Sequence, residues 1–170
     1  MELFIEVDNR RVLSALQGYG KKLERPHELM RLIAGRMLAA VEDNFEEQGR
    51  PRWADLHPDT IAGRKKAGYW PGKILQRTGA LKNSIAQYWD DKQAMVGANL
   101  VYARIQQLGG QTKPHTIKPK NKKALAFAGK VLKSVKHPGS NIPAHPFLNL
   151  TDADLNYLGQ DVADWLKTIP

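Results

Sequence analysis

The chain has 170 residues, of which 42% are hydrophobic and 25% are charged, a composition typical of a folded protein with one domain over residues 1–170. Because cysteine is absent, disulfide bonds, thiolate metal sites and cysteine nucleophiles are excluded. No apolar run approaches the roughly 20 residues of a membrane span. The formal net charge of +9 favours anionic partners, among them nucleic acid, an anionic membrane and an acidic protein surface.

The N-terminal part predicts one strand and two amphipathic helices. Apolar and polar residues alternate over residues 1–7, which is typical of a half-buried strand and not of a signal peptide. We therefore expect the protein in a cytoplasm, or in a particle assembled there. A first helix follows Asp8 or Asn9. The second starts at Pro26, ends near Gly49 and carries an apolar stripe formed by Leu29, Ile33, Met37, Val41 and Phe45.

Residues 50–72 form a long extension rich in glycine, proline and basic residues, with a short helix capped by Asp59 or Thr60. Long irregular segments in a compact domain are usually functional or ordered by a neighbouring molecule. Trp53 and Trp70 lie in this extension. Their more common role is to anchor the segment on the protein's own core, and the alternative is contact with another subunit, since tryptophan is enriched in interface cores.

The middle of the chain predicts short elements joined by turns. Thr78 and Gly79 mark either a helix start or a tight break. Residues 84–89 and 93–96 predict a β-hairpin. Residues 101–108 predict a short helix that ends at two glycines. Together with the N-terminal helices, these elements predict helices laid against a sheet.

The last third predicts a second hairpin and a terminal helix. Ile117 is expected to pair with the strand of Leu125 and Phe127 around a tip at residues 119–122, and residues 131–135 add a strand. Thr151, followed three residues later by Asp154, resembles a capping box. The helix that it starts has an apolar stripe of Leu155, Leu158, Val162 and Trp165. The predicted fold class is α+β, with a helical layer packed on a mainly antiparallel sheet.

Residues 92–151 contain no aspartate or glutamate, and lysines recur in the hairpin extension at residues 112–140. Such a block could grip phosphates as point charges, but Phe127 is its one base-stacking candidate, and its alternation with Leu125 favours a core position. Alternatively, the lysines face an acidic neighbouring subunit or protect strand edges from wrong pairing. The basic residues of the extension are Lys113, Lys118, Lys120, Lys122, Lys123, Lys130, Lys133 and Lys136.

The sequence offers little for catalysis. None of the five histidines pairs with another histidine or an acid at helical spacing, and phosphate-binding glycine loops and nucleophile elbows are missing. A hydrolytic cluster of His57 and Asp55 is a weak alternative, because capping is the more common role for Asp59 beside them. We expect no enzymatic activity, no cofactor, no metal and no small-molecule substrate.

The ordered motifs resemble those of the virion morphogenesis, or tail completion, proteins of Mu-like tailed phages and prophages. They lie at residues 52–56 (Arg-Trp-Ala-Asp-Leu), 74–85 (Ile-Leu-Gln-Arg-Thr-Gly-Ala-Leu-Lys-Asn-Ser-Ile), 107–110 (Gln-Leu-Gly-Gly), 117–125 (Ile-Lys-Pro-Lys-Asn-Lys-Lys-Ala-Leu) and 142–151 (Ile-Pro-Ala-His-Pro-Phe-Leu-Asn-Leu-Thr). The chain departs from the family pattern at His145, where arginine is usual. We therefore do not expect His145 to make a permanent salt bridge in place of that arginine, since histidine is only partly charged near neutrality.

The resemblance implies a structural, non-enzymatic protein at the head-to-tail junction of the virion, working as a multimeric ring beside tail or neck proteins. Non-specific DNA contact is a further expectation, and a basic nucleic-acid-binding module is the alternative function. No membrane partner is expected. The interface candidates are Trp53, Trp70, Lys118, Lys120, Lys122, Lys123, Lys133, Lys136, His145 and Phe147.

Overall fold

A computed structural model describes residues 17–18, 20–21, 23–24, 26–120, 124–127 and 130–168. The strand predicted for residues 1–7 and the start of the first predicted helix lie outside these residues. The described residues between 17 and 24 are helical, in agreement with the prediction of a first helix there.

Helix α1 spans His27–Glu47, as its apolar stripe predicts, with Pro26 just before it rather than in its first turn. The helix ends where Gln48 and Gly49 both adopt positive φ angles of 60° and 102°. A side chain at Gly49 would lie 2.4 Å from the Trp53 ring, so glycine is required there. The Gln76 side chain donates to the Phe45 carbonyl at 2.7 Å, which satisfies one of the free carbonyls of the last turn.

The predicted hairpin is formed by β1 (Ile85–Trp89) and β2 (Ala94–Ala98), with Ile85 opposite Ala98 and Trp89 opposite Ala94. Asp90 closes its turn, because its carboxylate accepts from the backbone N–H groups of Lys92 and Gln93 at 2.7 and 3.0 Å. Helix α1 packs against both strands and against the terminal helix. This arrangement confirms the α+β class, although the sheet beside α1 has only two strands in the described residues.

Three short helices connect the segments of the middle: α2 (Pro58–Lys66), α3 (Ala80–Asn83) and α4 (Ala103–Leu108). The cap of α2 differs from the prediction. His57 caps it through Nδ1, which accepts from the Asp59 backbone N–H at 3.3 Å, whereas Asp59 and Thr60 lie inside the helix. Gly79 starts α3 with a φ of 76°. The capping box at Thr151 begins the terminal helix α5 (Asp152–Lys167) as predicted.

The predicted lysine hairpin is present, but its strands pair differently. Three nested antiparallel ladders form it: β3 (Gly110–Gln111) with β8 (Asn141–Ile142), β4 (His115–Ile117) with β7 (Val135–His137), and β5 (Leu125–Phe127) with β6 (Lys130–Leu132). Ile117 therefore faces Val135 and not the strand of Leu125. We call residues 110–142 the arm. Its first two ladders share one register, and the extra residues between Ile117 and Leu125 precede the outermost ladder.

The core lies between α1, α3, α4 and the segment that follows the arm. Its most buried apolar side chains are Val41, Phe45, Trp53, Ile74, Leu81, Ala103 and Phe147. By contrast, the stripe predicted for α5 is only partly covered, and Leu155 is 51% exposed. None of the helices in the described part is long and apolar enough to cross a membrane.

Candidate assembly surface

The arm presents a row of cations to solvent. Five lysines are exposed along its described residues, and none of the five has a carboxylate within ion-pair distance there. They include four of the predicted interface residues; Lys122 and Lys123 lie outside the residues that the structure describes. The exposed lysines are Lys113, Lys118, Lys120, Lys133 and Lys136. The arm can therefore offer several cations to one acidic surface.

Close contacts between residues 112–115 and 137–140, which we call the crossing, fix the inner half of the arm. His115 and His137 lie opposite each other, and their rings stack with centroids 5.1 Å apart. Next to them, the Thr112 backbone N–H donates to the Ser140 carbonyl at 2.9 Å, and the Ser140 N–H donates to Thr112 Oγ1 at 2.7 Å. Gly139 allows this approach with a φ of 95°.

Replacing Gly139 by alanine should open this crossing without unfolding the core. The new Cβ would lie 2.1 Å from the Thr112 carbonyl oxygen, and the left-handed backbone costs about 1–2 kcal/mol for an alanine. We expect the amides of Thr112 and Val135 to exchange hydrogen about tenfold faster. Gly68→Ala is the matched control, since Gly68 shares a positive φ of 75° but has open space around it. Unchanged exchange in the arm of Gly139→Ala would contradict the crossing.

Three predicted interface residues are instead part of the core, which corrects their assignment. Trp53, His145 and Phe147 are 4%, 4% and 0% exposed. Trp53 packs edge-on against Phe45 and His145, with centroids 5.9 Å away in both cases, and its indole N–H donates to the Pro146 carbonyl at 3.3 Å. These side chains hold the segment after the arm onto α1, so they position the arm, and Trp53 and Phe147 expose almost no surface to a partner. For Trp53, this is the core-anchoring role that was expected to be the more common one.

Trp70 keeps the interface prediction open, because it is only partly buried. The neighbouring Tyr69 is 41% exposed, and the Arg77 guanidinium lies 4.9 Å from its ring centroid. This cation–π contact gives the end of the extension at residues 50–72 a basic, aromatic surface. Aromatic and arginine side chains of this kind are common at binding surfaces.

A buried polar network, which the sequence patterns did not predict, fixes the other end of the same extension. Arg50 donates two hydrogen bonds to the Asp154 carboxylate, each at 3.0 Å, and one to Asn44 Oδ1 at 3.0 Å. Asn44, which is fully buried, donates to the carbonyls of Phe147 and Asn149 at 3.0 and 2.7 Å. The network joins α1, the extension, the segment after the arm, and α5. The sequence feature that could have indicated this network is Asn44, an asparagine on the apolar face of α1.

An acidic face lies on α1 near its C-terminal end. Four carboxylates are exposed there, and the last turn of the helix contains no basic residue. Glu46 contacts the Lys73 ammonium, and Asp43 lies 3.9 Å from Arg50, which is already bonded to Asp154. The members of the acidic face are Glu42, Asp43, Glu46 and Glu47. It is the opposite of the arm in charge.

A groove of about 1090 Å³ opens at the base of the arm. Its walls come from residues 54–64, from residues 75–81, from α4 and from residues 140–145. Among the lining residues that the structure describes, Arg64 and Arg77 are the cations and Asp55 is the one carboxylate. Within the described residues, no group of three histidine, aspartate or glutamate side chains could hold a metal ion.

Comparison with known proteins is consistent across the chain. It is 32% identical over 166 residues to the "Mu-like prophage FluMu G protein 2" of Haemophilus influenzae, a match that covers 97% of this chain and 96% of that protein. It is also 32% identical over 114 residues to the "Putative capsid assembly protein G" of Escherichia phage Mu, covering 65% of this chain and 72% of that protein. No solved structure matches.

The family comparison covers nearly the whole chain. Residues 7–167 match the phage virion morphogenesis family, so the match includes α1, the arm and α5. This agrees with the family to which the ordered motifs are similar. The chain therefore belongs to the phage virion morphogenesis family.

Proposed function

We propose that the chain is a non-enzymatic structural protein of the virion that acts at the head-to-tail junction, in tail completion, as part of a multimeric ring. The observation that carries this proposal is the arm. It is a narrow ribbon with exposed lysines on a core that is already closed by Phe147 and Trp53. A segment of this kind buries little of its own surface, so it is suited to contact other molecules.

Charge complementarity supports contact between copies. Glu42 and Glu47 of the acidic face have no ion-pair partner among the described residues, and they lie near the negative end of the dipole of α1. Cations brought from outside would relieve this unfavourable placement. If the arm of one copy lies on the acidic face of the next, the contact is head-to-tail, and such contacts close into rings when the rotation between copies permits.

The extension at residues 50–72 is the second proposed contact. Its exposed part contains Tyr69, Trp70 and the basic pair Lys65 and Lys66, while Trp53 and Arg50 fix its start on the core. A neighbouring tail or neck protein would meet this part. The proposed location in the finished particle is accordingly the tail or neck, after assembly in the host cytoplasm.

A charge-swap experiment tests the proposal. Replacing Lys118, Lys120 and Lys136 by glutamate should abolish self-association, because three attractions become repulsions. Replacing Glu42, Glu46 and Glu47 by lysine should do the same. Mixing the two variants should restore mixed assemblies, because the glutamate arm of one variant attracts the lysine face of the other, and the native arm still attracts the native acidic face. Native mass spectrometry over a range of protein and salt concentrations measures all three results.

The matched control changes the same amount of charge elsewhere. Lys21, Lys92 and Lys167 are exposed and lie outside the arm, so their replacement by glutamate should leave self-association intact. A wild-type chain that stays monomeric at every concentration and salt would contradict the ring. An assembly that both arm and control variants weaken equally would show only a net-charge effect.

A basic nucleic-acid-binding module is the second candidate, favoured by the five exposed lysines of the arm. Each phosphate contact would add about 0.9 to the slope of log affinity against log salt. The arm variant separates the two functions. Loss of DNA binding with unchanged self-association would favour the second candidate, and the reverse result would favour the ring.

A further inference from the structure

The groove at the base of the arm contains a buried cation that has no acidic partner among the described residues. Arg64 is 9% exposed, and its guanidinium donates one hydrogen bond to the Lys73 carbonyl at 2.9 Å. No carboxylate of the described chain is within ion-pair distance of it. Burial, and then repulsion from Arg77, lower the pKa of Arg64. Because buried charges are normally paired, this pair of arginines indicates a place for an anion.

Asp55, the one carboxylate in the described lining of the groove, does not pair with Arg64. Asp55 is 83% exposed at its side chain and lies 3.6 Å from Arg52, with which it pairs on the surface. Arg77 is exposed and stacks on Tyr69, so its guanidinium edge remains open to a ligand. An incoming carboxylate could therefore take bonds from both Arg64 and Arg77.

A buried acceptor in the same wall indicates the second half of the ligand. His145 Nε2 lies 3.1 Å from the Ala54 carbonyl, so this nitrogen carries the hydrogen and donates it. In the neutral ring, His145 Nδ1 is then an acceptor; it is buried and has no hydrogen-bond partner among the described residues. Buried acceptors of this kind usually have a donor. A peptide supplies N–H donors, whereas a phosphodiester has none.

The rest of the lining is mixed, with polar side chains such as Thr60, Gln106 and Asn141 beside apolar ones. Leu75 and Ile142 line the groove with the ring of Tyr102, and these surfaces suit aliphatic side chains better than sugars. Two arginines, an unsatisfied acceptor and apolar side chains therefore lie in one groove. Their combination matches an extended protein segment that has an acidic residue between apolar ones.

We propose that this groove binds an acidic segment of a partner protein, with a carboxylate on Arg64 and Arg77, a peptide N–H toward His145 Nδ1, and apolar side chains on Leu75 and Ile142. The inference rests on the proposed function only in taking the partner to be a virion protein. The chemistry of the groove is independent of whether the chain forms rings.

The test uses the full chain and a capped pentapeptide, Ala-Leu-Asp-Leu-Ala, as the probe. Titration followed by NMR should give saturable shifts of the Arg64 Nε–H and of the amides at residues 140–145. The matched peptide with asparagine in place of aspartate should bind about tenfold more weakly, since it lacks the charged hydrogen bonds. Arg77→Gln should weaken the aspartate peptide by a similar factor. Because Arg77 is exposed, this variant is expected to fold.

Two further variants locate the binding. Arg64→Lys keeps the positive charge but loses the planar guanidinium, which can bond both oxygens of a carboxylate. It should therefore weaken binding of the aspartate peptide less than the double variant Arg64→Lys/Arg77→Gln does. Lys136→Gln, on the arm and outside the groove lining, should change nothing. Absence of saturable shifts would overturn the proposal, as would equal binding of the asparagine peptide.

Inorganic phosphate and a single-stranded oligonucleotide serve as competing probes. If either shifts the same groove signals as strongly as the aspartate peptide, the groove is a phosphate site and the proposal is wrong. The mass of the same sample is measured in parallel. If the chain is a monomer that binds the peptide, the groove inference holds and the proposed ring is contradicted. If the chain forms a ring that does not bind the peptide, the ring stands and the groove inference is contradicted.

Discussion

Replacing Asp154 by alanine is expected to lower the free energy of unfolding by about 3 kcal/mol, the low end of the range for breaking a buried ion pair. The Asp154 carboxylate accepts two hydrogen bonds from Arg50 at 3.0 Å and two from Thr151 at 2.8 Å. Its loss removes the reciprocal half of the capping box of α5 and leaves Arg50, which is 17% exposed, without its main counter-ion. Urea unfolding of the variant and the wild-type chain measures the difference.

The same substitution has a pH signature. Burial acts against ionisation of Asp154, but hydrogen bonds from Thr151 and Arg50 outweigh it and hold the pKa below its ordinary value of 3.8. A carboxyl group with a lowered folded pKa stabilises the protein above the unfolded pKa, and this stabilisation is lost as the pH falls through the folded pKa. The difference in the free energy of unfolding between wild type and Asp154→Ala should therefore be largest near neutrality and should shrink below pH 3.8.

Asp161→Ala is the control for this pair. Asp161 bonds Arg36 with two hydrogen bonds, at 2.6 and 2.9 Å, but the Arg36 side chain is 40% exposed. An exposed pair contributes about 0–1 kcal/mol, so this variant should be much closer to wild type. Equal losses in the two variants would contradict the role of the buried network.

Replacing Phe147 by alanine is expected to cost about 3–5 kcal/mol, the usual range for a fully buried phenylalanine. Phe147 is 0% exposed, and its ring lies 5.5 Å from that of Phe45. Its backbone carbonyl also accepts from Asn44 at 3.0 Å, so little can move to fill the cavity. Thermal and urea unfolding measure the loss.

The next residue provides the control. Leu148 is 37% exposed, and Leu148→Ala should cost less than about 1 kcal/mol. Phe147→Ala should also speed hydrogen exchange at the amide of His145, which donates to the Gln106 carbonyl at 2.7 Å. If exchange there is unchanged while the global stability falls, Phe147 does not hold the base of the arm.

Local patterns in the sequence predicted the regular elements well. The apolar stripe of α1, the β1–β2 hairpin and the capping box at Thr151 each depend on residues near one another along the chain. The α+β class followed from these elements. The predicted cap of α2 was wrong because the helix starts earlier: the His57 side chain accepts from the Asp59 backbone N–H, which places Asp59 inside the first turn.

Long-range features were harder to predict. Ile117 pairs with Val135, 18 positions away, because register is set by the whole ribbon and the crossing at Gly139. Trp53 and His145 were both interface candidates, yet both fill the core, since burial depends on what packs above them. Asn44 was not singled out, and two of its partners, Phe147 and Asn149, lie more than a hundred positions away.

The way in which the arm joins the core determines how it would respond to force. Its outgoing strand follows α4, and its returning strand leads into His145 and Phe147, with the His145 N–H bonded to Gln106 of α4. A force applied to the tip of the arm would act on both of these attachments at the same time. Neither could detach without exposing Phe147 to water. The arm is thus a tether fixed at both ends, and its strength is set by the core rather than by the few backbone bonds of the ribbon.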